Sequence, residues 1–206
     1  VVVQEERAAH ARFLDRYYGA SRGFYDVSRR YYLLGRDEVL ASLATERWSA
    51  LVDVGCGTGR NLEALRRLRP DAAYGGVDAS TAMLDVARAR CPWAALHHGF
   101  AEDAPLEGLV GPPDRVLFSY SLSMIQDPRG AIAHAARSVA PDGEVVVVDF
   151  GPLSGVPALA RGAFAAWLRS FHVAPVAPES LEAWGGRVRL SPRGYWLTAR
   201  FSRAAS

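Results

Sequence analysis

A chain of 206 residues, 50% hydrophobic and 22% charged, can build one domain with a full core and is too ordinary in composition for a disordered or fibrous protein. A formal net charge of +2 and a pI near 8.7 are too weakly basic to argue for nucleic acid. Lysine is absent, which excludes a Schiff-base lysine and a phosphate loop of the Gly-Lys-Ser/Thr kind.

The two cysteines, Cys56 and Cys91, lie far apart and form no metal-type pair. No metal site is expected, and Cys56 reads as a small residue turned to the core. The opening Val1-Val2-Val3 is too short for a signal peptide, and no apolar run reaches the ~18 residues of a membrane span. The expectation is a cytoplasmic protein, with peripheral contact to the inner face of the membrane left open.

Residues 4–20 have helical spacing with many charges, and residues 21–34 are rich in Tyr and Arg, a second helical piece. A third helix is predicted over 36–47, with Val39, Leu40 and Leu43 on one side. The pattern then changes to a short apolar strand at 51–54 and a helix at 59–69 carrying Leu62, Leu65 and Leu68, stopped by Pro70. A second strand ends near Asp78. Ser80 or Thr81 caps a helix over 81–90, with Met83, Leu84 and Ala87 inward. Strands follow at 94–100 and 115–121, then a helix at 127–140 and the turn Pro141-Asp142-Gly143. The fifth strand, 144–151, is apolar enough to be central. After a Trp-bearing helix at 157–171, two extended runs split by Ser191-Pro192-Arg193-Gly194 read as a hairpin. Strands alternating with helices imply a mostly parallel α/β sheet, here finished by antiparallel strands. One domain is expected: a helical lid (1–47), a cofactor-binding core (48–151), and a capping helix with the C-terminal hairpin (152–206).

The stretch "LVDVGCGTGRN" carries the chemistry. Gly55, Gly57 and Gly59 strip side chains from the turn after the first strand, so that a ligand can lie against the backbone. A dinucleotide fingerprint wants G-x-G-x-x-G; here the third glycine comes one residue early. Asp53 precedes the turn, where a carboxylate repels phosphate and attracts an ammonium group. Asp78 ends the next strand, where a carboxylate can accept both hydroxyls of a ribose. The ligand these residues describe is a nucleoside with a cationic amino-acid tail, S-adenosyl-L-methionine.

From about residue 25 onward the chain resembles the class I S-adenosylmethionine-dependent methyltransferases. The resemblance is carried by "VDVGCGTGRN", "GVDASTAMLDVARAR", "DRVLFSYSLSMIQD" and "APDGEVVVVDFG". It implies a Rossmann-like, seven-stranded sheet with a reversed last strand. It implies that Asp53, Gly55 and Gly57 line the methionine part, that Asp78 holds the ribose, that Ala79 and Met83 flank the adenine, and that Ser119 offers backbone to the cofactor's tail. One departure stands out. Many members have Gly-Asp-Ala after the third strand; this chain has Gly99-Phe100-Ala101. Phe100 can pack on the adenine but cannot accept its amine hydrogen, and Glu102 or Asp103 is left as the substitute.

Methyl transfer needs alignment more than catalytic side chains, so the acceptor is harder to read. The segments "RGFYDVSRRYYLLGRDEVL", "FSYSLSMIQD", "VVDFG", "WLRSFHVAP" and "RGYWL" resemble the bacterial betaine-lipid N-methyltransferase (BtaB) family. That resemblance implies an amine-bearing lipid headgroup, of diacylglyceryl-homoserine type, as acceptor. An amine must lose its proton before it attacks, and a quaternised one is best held by aromatic faces. Tyr25 and Tyr120 are the favoured aromatic residues, and Asp149 or His172 the candidate proton acceptor. His97 and His98 point to opposite sides of a strand and read as structural. Residues 156–173, with Trp167, Arg161 and Arg169, either rest on an anionic lipid surface or cap the pocket. The rival readings are an N- or O-methyltransferase of a soluble metabolite, a nicotinamide (NAD) oxidoreductase, and a non-catalytic binder.

Overall fold

The computed structural model describes residues 33–170 and 173–203. The expected helix over 4–20, and the expected helix over 21–34 up to residue 32, lie outside them; Leu33 and Leu34 are described and are not helical. The described chain runs α1 (Arg36–Thr45), β1 (Ala50–Val54), α2 (Arg60–Leu68), β2 (Ala73–Asp78), α3 (Thr81–Arg90), β3 (Ala95–His98) and α4 (Leu106–Val110). It continues through β4 (Arg115–Ser119), a single 3₁₀ turn (Leu122–Met124), α5 (Pro128–Ser138), β5 (Glu144–Phe150), α6 (Ala158–Ser170), α7 (Pro178–Ala183), β6 (Arg187–Leu190) and β7 (Trp196–Ser202).

The seven strands form one sheet in the order β3-β2-β1-β4-β5-β7-β6. The first five are parallel; β7 runs antiparallel between β5 and β6. This is the seven-stranded α/β sheet with a reversed hairpin expected from the sequence, and β5 is an interior strand. Side chains alternate across the strands, and both faces are covered. Leu51, Leu117, Val146 and Val148 pack with Leu40 and Leu43 of α1 and with Leu62 and Leu65 of α2. Val52, Val116, Phe118 and Val147 pack on the other face with Ile132 and Ala135 of α5 and Leu181 of α7.

Local chemistry sets the helix starts. Ser80, not Thr81, caps α3: its hydroxyl accepts from the Met83 N–H at 3.3 Å. Asp127 caps α5, accepting from the Gly130 N–H at 2.9 Å, with Pro128 in the first turn. Two helices are absent from the sequence reading, α4 and α7, five and six residues long.

α1 packs on one face of the sheet through Val39, Leu40 and Leu43. At its C-terminal end Glu46 binds Arg115 of β4 at 3.0 Å and Arg200 of β7; Arg200 also reaches Glu144 of β5 at 2.8 Å. Arg115 and Glu144 begin their strands, so this network sits at the amino edge. The other end of α1 therefore lies at the carboxyl edge. Among the described residues no helix is long and apolar enough to cross a membrane.

Candidate functional site

β2 and β4 flank β1, so the strand order reverses at the carboxyl end of β1, where open α/β sheets bind ligands. The glycine turn opens there. The N–H groups of Gly55 and Cys56 both donate to the Val77 carbonyl, at 2.8 and 3.0 Å. Gly55 has φ +74°, and a Cβ on it would stand 2.3 Å from Ser121 Cβ, so no side chain is tolerated. At Gly57, φ +53°, an added Cβ would meet nothing within 4 Å: this glycine leaves its backbone open to the cleft. Cys56 is buried against the core, and burial raises its thiol pKa well above the ordinary value.

Asp78 holds the turn from the next strand. Its Oδ2 accepts from the Gly57 N–H at 2.7 Å and its Oδ1 from the Ser80 N–H at 2.9 Å. A carboxylate oxygen can accept more than one hydrogen bond, the capacity that holding two adjacent hydroxyls requires.

Asp53 lies beneath the turn, fully buried. Its Oδ2 accepts from Asn61 Nδ2 at 3.1 Å, while its Oδ1 has no hydrogen-bond partner among the described residues. Burial pushes its pKa up to about 7; the Asn61 hydrogen bond opposes that, the Asp78 charge adds to it, and Arg36 opposes it. A buried carboxylate with an orphan oxygen is costly unless something cationic completes it.

The resulting cleft, counted together with the solvent at its mouth, spans about 730 Å³. Gly55, Gly57, Asp78, Ala79, Met83, Phe100, Ala101 and Tyr120 all line it. These eight are sequence candidates that the fold brings together. Four others sit off the cleft wall. Asp53 is beneath it, and Gly59 starts α2 in contact distance of α3. Ser119 is buried at the end of β4, with no partner for its hydroxyl among the described residues. Asp149 is buried behind the cleft and accepts from the N–H groups of Ser123 and Phe150, at 2.9 and 2.7 Å. It thereby holds the 3₁₀ turn that brings Met124 to the cleft. Tyr25 and His172 lie outside the described residues.

Sequence reasoning left Ser121, Met124, Ile125 and Gln126 without a role, although they line the cleft. The segment "SLSMIQD" was the available signal. Of the two acids weighed as substitutes after Phe100, half-buried Glu102 faces the cleft, whereas Asp103 is exposed and does not line it. His98 reaches the Ala79 carbonyl at 3.1 Å, a structural contact beside Asp78. Among the described residues no three His, Cys, Asp or Glu side chains gather as a metal site.

Tyr120 takes a left-handed backbone, φ +55°, unusual for a residue with a side chain. Its N–H donates to the Val148 carbonyl at 2.8 Å, and its hydroxyl donates to the Leu34 carbonyl. Burial, and then the Asp149 charge, push the phenol pKa far above its ordinary value. The ring meets Phe150 edge-on at 4.8 Å. Phe150 in turn meets Phe164 at 6.0 Å and Tyr195 at 6.3 Å. An aromatic series thus runs from the cleft to the surface under α6.

The residues present fit an adenosyl sulfonium donor: a carboxylate for the diol, a bare backbone at Gly57, and an orphan buried oxygen for the ammonium.

A family model described as a methyltransferase domain matches residues 26–190. The carboxy-S-adenosyl-L-methionine synthase of Campylobacter curvus is 33% identical over 113 residues, covering 55% of this chain and 46% of that protein. The chain therefore spans about half the length of that relative. The ubiquinone/menaquinone biosynthesis C-methyltransferase of Campylobacter jejuni is 27% identical over 167 residues, 75% of this chain and 68% of that protein. A structure titled as a possible histamine N-methyltransferase from Thermotoga maritima superposes with a TM-score of 0.67 at 21% identity, covering 94% of this chain and 97% of that one. The chain belongs to the methyltransferase domain family, and its fold is that of the class I S-adenosylmethionine-dependent methyltransferases.

Proposed function

We propose that this protein transfers a methyl group from S-adenosyl-L-methionine to the nitrogen of an amine, and that the amine belongs to a betaine-lipid headgroup of diacylglyceryl-homoserine type. The observation that carries the amine is the aromatic series Tyr120–Phe150–Phe164–Tyr195, which begins on the cleft wall and ends half-exposed. Aromatic faces attract a methylated ammonium without forming a hydrogen bond that it could not return.

The bound cofactor supplies an electrophilic methyl on a sulfonium. The chain's residues align and shield. Asp78 fixes the ribose, Met83 and Phe100 pack the base, and Tyr120 closes the wall on the acceptor side. With the donor held there, its sulfonium methyl would pass to the lone pair of the acceptor nitrogen as the carbon–sulfur bond breaks, leaving S-adenosylhomocysteine as the second product. The amine must arrive unprotonated or lose its proton nearby. Asp149, one residue from Phe150, and His172 are the groups to test for that step, with Tyr25 as a second aromatic wall.

The lipid part of the reading draws on the resemblance to the betaine-lipid enzymes and on α6. Leu159 is 88% exposed and Trp167 40% exposed on that helix, with Arg161 and Arg169 also outward. Leu159 and Trp167 stand on one side of the helix and Arg161 and Arg169 on the other, and such an exposed helix with an apolar and a basic side suits an anionic lipid surface. The names of the relatives cover C-methylation and carboxy-S-adenosylmethionine synthesis, so a soluble metabolite is the second acceptor class.

The test is mass spectrometry of products formed from a methyl-labelled donor in a total lipid and metabolite extract. Label in a trimethylated lipid headgroup supports the proposal. Label confined to a soluble metabolite moves the reading to the second class. Bound donor with no labelled product makes the protein a non-catalytic binder.

A further inference from the structure

Ser123 lies in the middle of the 3₁₀ turn Leu122–Met124, and its backbone is bonded on both sides. Its N–H donates to Asp149 Oδ2 at 2.9 Å, and its carbonyl accepts from the Ala174 N–H at 2.8 Å. Asp149 is buried near the carboxyl end of β5, and Ala174 follows the exit of α6. At that exit the Val173 N–H donates to the Leu168 carbonyl at 3.1 Å, and both side chains are buried. One carboxylate therefore holds, through one residue, the floor of the cleft and the exit of the helix that carries Leu159 and Trp167.

The start of the same segment is fixed by other bonds. The Tyr120 N–H donates to the Val148 carbonyl at 2.8 Å, and the Ser121 hydroxyl donates to the Val54 carbonyl at 2.6 Å. Beyond it, the N–H groups of Met124 and Ile125 donate back into the turn, to Ser121 and Leu122, at 3.0 and 3.2 Å. These two cleft-lining residues go where the turn goes. The other oxygen of Asp149 accepts from the Phe150 N–H at 2.7 Å, which orients the carboxylate toward Ser123. An ionised carboxylate only accepts, and here two backbone donors address it. Asp149 does not line the cleft, whereas a general base must lie within hydrogen-bond reach of the proton it takes.

We propose that Asp149 is a positioning residue for the methyl acceptor: through Ser123 it sets the 3₁₀ turn and the exit of α6 as one unit, so that the cleft floor and the capping helix hold the acceptor together. This rests on the reading of the cleft as the site of methyl transfer. On this assignment Asp149 takes no proton from the amine, and that task falls to another group. The donor side is built by different bonds, those of Asp78 to the Gly57 and Ser80 N–H groups, and does not depend on Asp149.

Amide hydrogen exchange followed by NMR, with calorimetric titration of S-adenosylhomocysteine, makes the test. In the wild type the Ser123 and Ala174 N–H groups should exchange as slowly as sheet amides; exchange at the rate of an exposed loop overturns the proposal without any variant. Asp149→Asn keeps one acceptor oxygen and turns a donor toward the other N–H. Both amides should then exchange about tenfold faster, the range of one lost hydrogen bond, while the Gly57 N–H and the S-adenosylhomocysteine affinity stay within about twofold. Methyl transfer to anionic vesicles carrying diacylglyceryl-homoserine reads the consequence. Turnover should fall about tenfold in Asp149→Asn and further in Asp149→Ala, and the acid limb of the pH profile should keep its midpoint. Equal losses in the two variants with the acid limb gone make Asp149 the proton acceptor and overturn the proposal. So does faster exchange at Gly57 together with weaker S-adenosylhomocysteine, the mark of general loosening. If the wild-type protein labels no lipid, it is the lipid reading that fails, and the exchange results alone decide whether Asp149 holds the turn and α6 as one unit.

Discussion

The hydroxyl of Tyr120 donates to the carbonyl of Leu34, 86 positions away in sequence. That bond ties the start of α1 to the end of β4 at the cleft wall. Tyr120→Phe keeps the edge contact with Phe150 and leaves the Leu34 carbonyl without its donor. Denaturant unfolding should show a loss of about 1–2 kcal/mol, the cost of one half-buried hydrogen bond. Turnover should fall more than cofactor affinity, because the wall on the acceptor side loosens first. The reverse pattern would assign Tyr120 to the cofactor.

Asp53 gives a pH dependence with two opposite signs. Its folded-state pKa, near 7, lies above the ordinary 3.8, chiefly through burial. The unfolded chain therefore gives up this proton first, and stability falls as pH rises between those values. Asp53→Asn should be more stable than wild type at about pH 8 and lose that advantage near pH 4, read from melting temperatures. Cofactor affinity runs the other way. An ammonium prefers the ionised carboxylate, so S-adenosylhomocysteine should bind about tenfold more tightly at pH 8 than at pH 6 in the wild type. Asp53→Asn should bind weakly at both.

Asp78 holds two backbone N–H groups of the turn and faces the cleft. Asp78→Ala should weaken S-adenosylhomocysteine by one to two powers of ten, corresponding to about 1.5–3 kcal/mol for hydrogen bonds to a charged group. Asp78→Asn, which keeps one acceptor oxygen, should lose less. Titration calorimetry reads both, and an unchanged affinity removes Asp78 from the site.

Glu46 anchors the far end of α1. Its burial would raise its pKa, but the hydrogen bonds from Arg200 and Arg115 outweigh that and lower it below 4.5. A lowered carboxylate stabilises the fold above its unfolded pKa and loses that contribution as pH falls through the folded value. Glu46→Gln should cost about 1–2 kcal/mol at neutral pH, and the difference should shrink as the pH falls below the ordinary carboxylate range. Melting temperatures of the two proteins should therefore converge in acid.

Some of this was legible in the sequence for a local reason. The glycines, Asp53 and Asp78 lie within one strand–turn–helix–strand unit, where spacing alone sets the geometry. Ser80 caps a helix by accepting from an N–H three residues ahead, again a local matter. The floor of the cleft was not legible, because Met124 is placed by Asp149 accepting the Ser123 N–H, a contact between segments far apart in sequence. Asp149 read as a proton acceptor because it ends a strand at the right edge; only the packed sheet reveals its hold on two backbone N–H groups. The left-handed backbone of Tyr120 depends on the register of β4 against β5, which no periodicity carries. α4 and α7 are too short for a helical period to distinguish them from loop.

The central claim is that Asp53 and Asp78, on either side of a bare turn, select a positively charged adenosyl donor over a phosphate-bearing dinucleotide. Parallel titrations of the intact protein with S-adenosyl-L-methionine and with NAD test it most directly. The account predicts saturable binding of S-adenosyl-L-methionine that Asp78→Ala weakens, and no heat with NAD. Binding of NAD, with none of the sulfonium donor, would contradict it.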